Sequence, residues 1–424
     1  MKSLLDKIFF RSNNLDYISE GIQKLSQKTS ANKIFDAINS FTAESEIRYV
    51  GGCVRNIINK EKVDDIDMAT NLEPIQVCEA LKKNNINYYE SGIEHGTITA
   101  IIDKCKFEIT SLRKDIFTDG RHADVRFSKN WKEDAYRRDF TINSIYSDCD
   151  GNLFDPFDGK NDLKKGSINF IGDIDKRITE DYLRIVRYIR FFLNYSKQPH
   201  NSSITKKLKI NIGGVLKISK ERLLDELKKM MNIELLEKIS KDQISLELFS
   251  LIFPELRNIK IFSKLNLNHK NILEKKDFIF LLSLLIIDKT DNSDYFIYKY
   301  NISKKDQKRI KIIDNFYKEK ISSNTFLEKN INKFFYYNGK QAVLDILNFR
   351  IINSKRSDKK LDELYKIYEN KNMPIMPIRA NLLMTKYKIP EGKQLGKKLK
   401  NIEEEWVKND FKISEQQVDY ILKN

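Results

Sequence analysis

The chain has 424 residues, 41% of them hydrophobic, and its 76 Lys and Arg against 60 Asp and Glu leave a formal net charge of +16. That length suits more than one domain with its own core, and the charge favours a polyanionic partner, although heavy use of Lys, Asn and Ile also fits AT-rich coding. The longest apolar run, Phe278 to Ile287, is about half a membrane span, and Cys53, Cys78, Cys105 and Cys149 are isolated, which excludes a spanning helix, a zinc site and a disulfide framework.

In chain order, Met1 to Phe10 breaks its apolar residues with charges and shows no small-residue cleavage site, so no export signal is read and a cytoplasmic setting is expected. From Ile47 to Phe157 the pattern is β-like, with Gly and Asp punctuation. Ile47 to Val50 reads as a strand, Ile66 sits in a second, and Thr97 to Ile102 forms a third. Lys106 to Thr110 is a fourth, pairing with the third across the turn at Asp103-Lys104. A helix over Pro74 to Lys83, with Ile75, Val77, Cys78 and Leu81 on its apolar side, separates the second strand from the third. After Gly166 the periodicity turns helical and stays so, as in Leu223, Leu227, Met230 and Met231. The hinge between the halves is Asp155-Pro156-Phe157-Asp158-Gly159. Phe278 to Ile287 reads as a buried helix.

Chemistry concentrates early. Gly51-Gly52-Cys53-Val54-Arg55 puts a glycine turn ahead of a helix, where phosphate oxygens can reach backbone N–H groups. About ten residues later Asp65 and Asp67 lie two apart, hence on one face of a strand, and two like charges held together ask for a cation. Glu108 points away from Phe107 and Ile109. If those two face the core, Glu108 projects towards Asp65 and Asp67 as a third carboxylate, an oxygen-rich set suited to Mg²⁺. Taken alone, such a Glu is usually a solvated surface residue.

These strings and those that follow occur in a recognisable order: Gly51 to Arg55, Asp65 to Thr70, Phe107 to Arg113, Arg137 to Asn143, Asp155-Pro156-Phe157 and Glu180 to Arg184. The order resembles bacterial class II CCA-adding tRNA nucleotidyltransferases, a branch shared with bacterial poly(A) polymerases, and the clear motifs span about residues 48 to 230. The resemblance implies an α/β nucleotidyltransferase head of the polymerase beta-like type with a small mixed sheet, followed by an all-α neck, body and tail. The corresponding ranges are a helical lead over 1–30, the catalytic head over 31–165, a neck with base recognition over 166–230, a body over 231–330 and a tRNA-binding tail over 331–424.

Residue by residue, the resemblance implies that Asp65 and Asp67 hold the metal and Glu108 is the third catalytic carboxylate. It places Gly51, Gly52 and Arg55 on the triphosphate, adds Arg113 to the nucleotide-binding set, and puts Arg138, Asp139 and Asn143 at the ribose. Pattern alone makes Asp139 a helix cap. Asp181 and Arg184, three apart in a predicted helix, would read the base edge, with Arg187 continuing their face. The bland reading is an i,i+4 salt pair between Glu180 and Arg184. A carboxylate acceptor beside a guanidinium donor suits the amino group and ring nitrogen of both cytosine and adenine, so one pair of side chains could take CTP and ATP and refuse UTP and GTP.

Thr118 to Asp124 resembles a flexible loop kept by enzymes that add all three nucleotides. Tyr182 stands where many members have proline, and Ser219 to Arg222 with Glu226 resembles a motif that steadies the neck. Lys393, Lys397 and Lys398, in a glycine-bearing tail, are expected to contact tRNA, with a generic basic helix as the alternative. The reading is therefore template-independent addition of CCA to tRNA from CTP and ATP with Mg²⁺, by a chain assumed monomeric. The alternatives are a poly(A) polymerase or A-adding enzyme of the same superfamily and, from another class, a non-catalytic RNA-binding protein, which would show a lost carboxylate or a broken glycine turn. A fused phosphohydrolase would need a His-Asp dipeptide, and none of His95, His122, His200 and His269 is followed by Asp.

Overall fold

The computed structural model describes residues 17–118, 123–318, 328–354 and 358–423. The first half of the expected helical lead and the centre of the loop read over Thr118 to Asp124 lie outside the described residues. The chain divides into two compact units, one of residues 1–229 with 242–252 and one of residues 230–241 with 253–424.

The first unit is built on a seven-stranded sheet. Its strands are β1 (Ile47–Val50), β2 (Ile66–Thr70), β3 (Asn87–Gly92), β4 (Thr97–Ile102), β5 (Cys105–Ser111), β8 (Tyr146–Ser147) and β9 (Leu153–Phe154), in the order β3-β4-β5-β2-β1-β8-β9. A separate hairpin joins β6 (Arg113–Thr118) to β7 (Ala123–Phe127). β2 and β5 run parallel, whereas β4 and β5 form the antiparallel pair that the turn at Asp103-Lys104 predicts. Both turn residues adopt positive φ.

The two faces of the sheet have different partners because side chains alternate along each strand. Ile47, Tyr49, Met68, Phe107 and Ile109 join one core with Ile34, Phe35 and Ile38 of α2 (Asn32–Asn39), Val54 of α3 (Gly52–Ile58), and Val77, Ala80 and Leu81 of α4 (Pro74–Lys83). Helix α1 (residues 17–29) adds Ile18 and Ile22. α4 starts cleanly because Glu73 and Gln76 form a reciprocal capping box ahead of Pro74. On the opposite face, Val50 and Ala69 pack with Leu112, Tyr146 and Ala135 of α5 (Trp131–Arg137). Asp67 shares the parity of Ala69, so it belongs to this second, less covered face.

Helices then take over: α6 (Gly159–Lys165), α7 (Ile174–Glu180), α8 (Leu183–Tyr195), α9 (Ser202–Asn211), α10 (Lys220–Met230) and α12 (Gln243–Ile252), with α11 (Ile233–Lys241) assigned to the second unit. In that unit the predicted buried helix is α14 (Phe278–Ile286), whose residues from Ile279 to Ile286 are all buried. No helix among the described residues is long and apolar enough to cross a membrane. Further on, Phe335, Val343, Leu347 and Tyr368 make one core, and Leu383, Leu395, Ile402 and Val418 make another near the C-terminus.

Candidate active site

The parallel pairing of β2 with β5 sets Asp67 opposite Glu108, and Ile66 opposite Phe107. Phe107 and Ile109 are fully buried while Glu108 is exposed, so the Glu side chain leaves the core for the face that carries Asp67. Burial of Phe107 and Ile109 contributes about 1.5–3 kcal/mol each, which anchors the register that aims Glu108. Asp65 lies one residue ahead of β2 and is exposed. None of these three carboxylates makes a hydrogen bond or ion pair among the described residues. Burial first, and then the neighbouring Glu108, push the carboxyl of Asp67 above the usual range, with Asp65 adding to the rise and Arg138 and Arg55 opposing it.

The glycine turn faces the same place. Gly51 has φ 70°, a left-handed conformation that favours glycine. A Cβ there would lie 3.6 Å from an Nη of Arg138 and 3.9 Å from Oδ2 of Asp67, so the bare glycine leaves a cradle between a guanidinium and a carboxylate that a side chain would fill. Gly52 opens α3, and the Arg55 N–H closes its first turn on the Gly51 carbonyl at 3.0 Å. All four cysteines are free, and burial pushes the Cys53 thiol, behind this turn, up to about 12.

Four predicted residues form one largely buried chain. Arg55 donates to Asn143 Oδ1, Asn143 donates to Asp139 Oδ1 at 2.9 Å, and Arg187 donates to Asp139 Oδ2 at 2.6 Å. Asp139 also accepts the Phe140 N–H at 2.9 Å, but the 3-10 turn Thr141–Asn143 has Phe140 at its N-cap and no side-chain cap, so Asp139 serves this network and not the capping role read from the pattern. Burial would raise its carboxyl, but the Arg187 guanidinium and these hydrogen bonds outweigh it and leave it at about 2. The Arg55 guanidinium stacks 4.8 Å from the Tyr195 ring centroid and 5.1 Å from that of Phe191.

Arg138 is aimed by residues that the motif reading does not single out. Its Nε donates to the Tyr146 hydroxyl at 3.0 Å and an Nη donates to Asp134 Oδ2 at 3.2 Å, while Tyr146 itself donates to Asp134 at 2.7 Å. Asp134 is fully buried. Burial would raise its carboxyl too, but Arg137, Arg138 and the Tyr146 hydroxyl hold it well below the usual range. The sequence signal was local: Asp134 stands three and four residues before Arg137 and Arg138, on one helix face. The Arg113 guanidinium donates to the His95 carbonyl, and its backbone N–H donates to Asp134 Oδ1 at 3.4 Å.

Asp181 and Arg184 do not lie in one continuous helix. α7 ends at Glu180, Asp181 is extended (φ −152°, ψ 102°), and α8 starts at Leu183. The reason is local: Asp181 Oδ1 accepts the Leu183 N–H at 3.1 Å, and a short carboxylate that serves the next helix's free N–H groups competes with continuing the first. Its Oδ2 accepts from Arg222 at 2.7 Å. Arg184 donates to Glu180 at 2.8 Å, which is the i,i+4 pair that the spacing predicts, and to the carbonyls of Arg177 at 2.7 Å and Arg137 at 3.2 Å. Arg177 donates to the carbonyls of Arg137 and Arg138, and burial, then Arg184, lower its guanidinium to about 10. Glu226 of α10 takes Arg190 at 2.7 Å and Arg187 at 3.7 Å.

In the second unit, α20 (Lys393–Lys408) leaves Lys393 and Lys397 exposed, whereas Lys398 donates to the Leu422 carbonyl. A cavity of about 640 Å³ lined by Lys264, Asn266, His269, Ile351 and Asp362 lies in this unit. Among the described residues no group of three or more His, Cys, Asp or Glu side chains is arranged to hold a metal by itself.

Residues 47–169 match a family model, the poly A polymerase head domain. Over 395 residues, 89% of this chain and 87% of the relative, the sequence is 32% identical to mitochondrial CCA tRNA nucleotidyltransferase 1 of Mus musculus. The CCA-adding enzyme of Lactobacillus johnsonii is 37% identical over 206 residues, 48% of this chain and 50% of the relative. Among solved structures, the Bacillus stearothermophilus CCA-adding enzyme in complex with CTP aligns over 93% of this chain and 96% of its own, with a TM-score of 0.68 at 19% identity. The Thermotoga maritima CCA-adding enzyme complexed with tRNA-CCA aligns over 92% and 94%, with a TM-score of 0.60 at 19% identity. At those identities the two structures speak for the fold.

Proposed function

The chain belongs to the CCA tRNA nucleotidyltransferase family, and from that premise we propose that it extends the 3′ end of tRNA with C, C and A, taking CTP and ATP, releasing pyrophosphate and using no nucleic-acid template. The observation that carries the reading is the register that sets Glu108 beside Asp67 on the face where Gly51 and Arg138 leave a cradle.

Nucleotidyltransferases of this superfamily typically use a divalent metal, and the donor set here fits Mg²⁺. The oxygens are hard, the three carboxylates make no ion pair among the described residues, and the carboxyl of Asp67, raised by burial first and then by Glu108, is one whose charged form a cation would stabilise. Asp65 and Asp67 would hold the ion together with substrate phosphates, because Mg²⁺ is usually held by one or two carboxylates plus phosphate and water. When bound, Mg²⁺ supplies acidification of the RNA 3′-hydroxyl and charge relief on the departing pyrophosphate.

The chain's own groups do the rest. The open Gly51 cradle admits the triphosphate, and Arg138, held by Asp134 and Tyr146, sets positive charge beside it. The Arg55, Asn143, Asp139 and Arg187 chain links the phosphate end to the helical end, with Asp139 and Asn143 near the ribose. Asp181 and Arg184 read the base: the carboxylate accepts from the amino group of cytosine or adenine and the guanidinium donates to the ring nitrogen. Both already have protein partners, so a correct base exchanges with Arg222 and with backbone carbonyls, and a base of reversed polarity leaves those groups unpaired, which is costly.

The test incubates tRNA lacking its 3′ end with Mg²⁺ and each nucleoside triphosphate, separately and together. Two C and one A are expected, ending there. An open-ended adenosine tract identifies a poly(A) polymerase, addition of A only to ends that already carry CC identifies an A-adding enzyme, and RNA binding without incorporation overturns the enzymatic reading.

A further inference from the structure

The break between α7 and α8 gives Asp181 its separate carboxylate, and polar contacts tie the break to α10 and to the end of α5. Tyr182 adds an apolar anchor. Its ring packs against the backbone of buried Gly214 so closely that a Cβ built there would overlap three ring carbons. Gly214 lies in the 3-10 helix Ile212–Lys217, and Lys217 sets its ammonium 5.5 Å from the same ring centroid. The chain leads from there straight into α10, whose Arg222 reaches Asp181 Oδ2 at 2.7 Å. One short stretch, 212–222, therefore grips adjacent residues of the break at two points.

We propose that Tyr182 and Gly214 are positioning residues for nucleotide selection. The packing of ring on glycine ties the break to α10, keeps Arg222 in register with Asp181, and so fixes where Asp181 presents its acceptor to a base. This inference rests on the base-reading role of Asp181 given under Proposed function. A side chain at 214 displaces the Tyr182 ring and the turn beneath it. A displacement on the order of 1 Å costs roughly up to a hundredfold where geometry sets the rate.

The test measures kcat/KM for CTP and for UTP on tRNA lacking its 3′ end, together with melting temperature, in the full chain and its variants. Gly214→Ala is expected to lower the CTP to UTP ratio about tenfold or more. Tyr182→Phe, which keeps the ring, retains the parent ratio. The double variant Tyr182→Ala with Gly214→Ala removes the overlap and recovers the melting temperature without recovering the ratio. Should Gly214→Ala fail to fold, Tyr182→Ala alone must show the loss. A parent-like ratio in whichever of these variants folds overturns the proposal and leaves base reading by Asp181 standing. A parent protein that does not favour CTP over UTP overturns the base-reading role instead.

Discussion

On the strand face, Asp65, Asp67 and Glu108 stand without ion pairs among the described residues, and the Asp67 carboxyl is raised by burial and by its neighbours. On the helical face the charges are matched: Asp139 with Arg187, Asp181 with Arg222, Glu180 with Arg184, and Glu226 with Arg190. A crowded set of like charges is relieved by a cation, so the strand face responds to metal and triphosphate together. A neutralised network gives little to a generic charge. It yields only to a ligand that replaces its hydrogen bonds one for one, and that is the property a base selector needs.

The most severe break in this contrast is Asp67→Asn. Removing a carboxylate from the crowded face is expected to lower nucleotide incorporation about a thousandfold or more, since charge relief by metal supplies several kcal/mol to such reactions. The melting temperature should hold or rise, because a repulsive neighbour of Glu108 is gone. Incorporation of labelled CMP within tenfold of the parent would sink the assignment of Asp67 to the metal. On the helical face, Asp181→Asn should spare most of the chemistry and relax the choice of base, since an amide donates as well as accepts. UTP and GTP incorporation is expected to rise roughly ten- to a hundredfold relative to CTP and ATP. A variant as selective as the parent would remove Asp181 from the base edge.

A quieter probe of the matched side is acidity. Asp139 sits at about 2, depressed from its ordinary value, so it adds stability that is present above the unfolded value near 4 and is lost as pH falls towards 2. The contribution is about 2 kcal/mol at neutral pH. Parent and Asp139→Asn should differ in melting temperature at pH 6 and converge between pH 4 and pH 2. A gap independent of pH would assign the effect to packing instead.

Much of the strand face was legible because its signals are local. Ile47 to Val50, Thr97 to Ile102 and Pro74 to Lys83 fall where the pattern places them, although Ile75, read on the apolar side of that helix, is exposed and Ala80 is buried in its stead, and the outward turn of Glu108 follows from its flanking Phe107 and Ile109. What pairs β2 with β5 is not local, so the sequence offers Asp67 and Glu108 as companions only through parity and family order. β8 and β9 are two residues each, too short to carry a period. The helical face was less legible. Helical spacing at Glu180 to Arg184 conceals a break that a carboxylate cap creates, and the partners Arg222 and Glu226 come from about forty residues further on. Asp134 and Tyr146, which hold Arg138, form a buried polar set that composition does not announce.

The smallest expected effect lies outside both faces, in the tail lysines, and it separates a solvated charge from a structural one. Lys393 and Lys397 are exposed on α20, whereas Lys398 spends its ammonium on the Leu422 carbonyl. If the exposed pair meets RNA phosphate, replacing both by Ala removes two counterion-releasing contacts and lowers the slope of log affinity against log salt by about 1.5 to 2. Affinity should fall alike for every tRNA sequence, because phosphate contacts carry no base information. Lys398→Ala is expected to leave that slope unchanged and instead loosen the packing of the C-terminal helix Glu415–Lys423, read as faster amide exchange there. A slope lowered by Lys398→Ala and untouched by the exposed pair would reverse the assignment, and would mean that the lysine now bonded to Leu422 is released when RNA arrives.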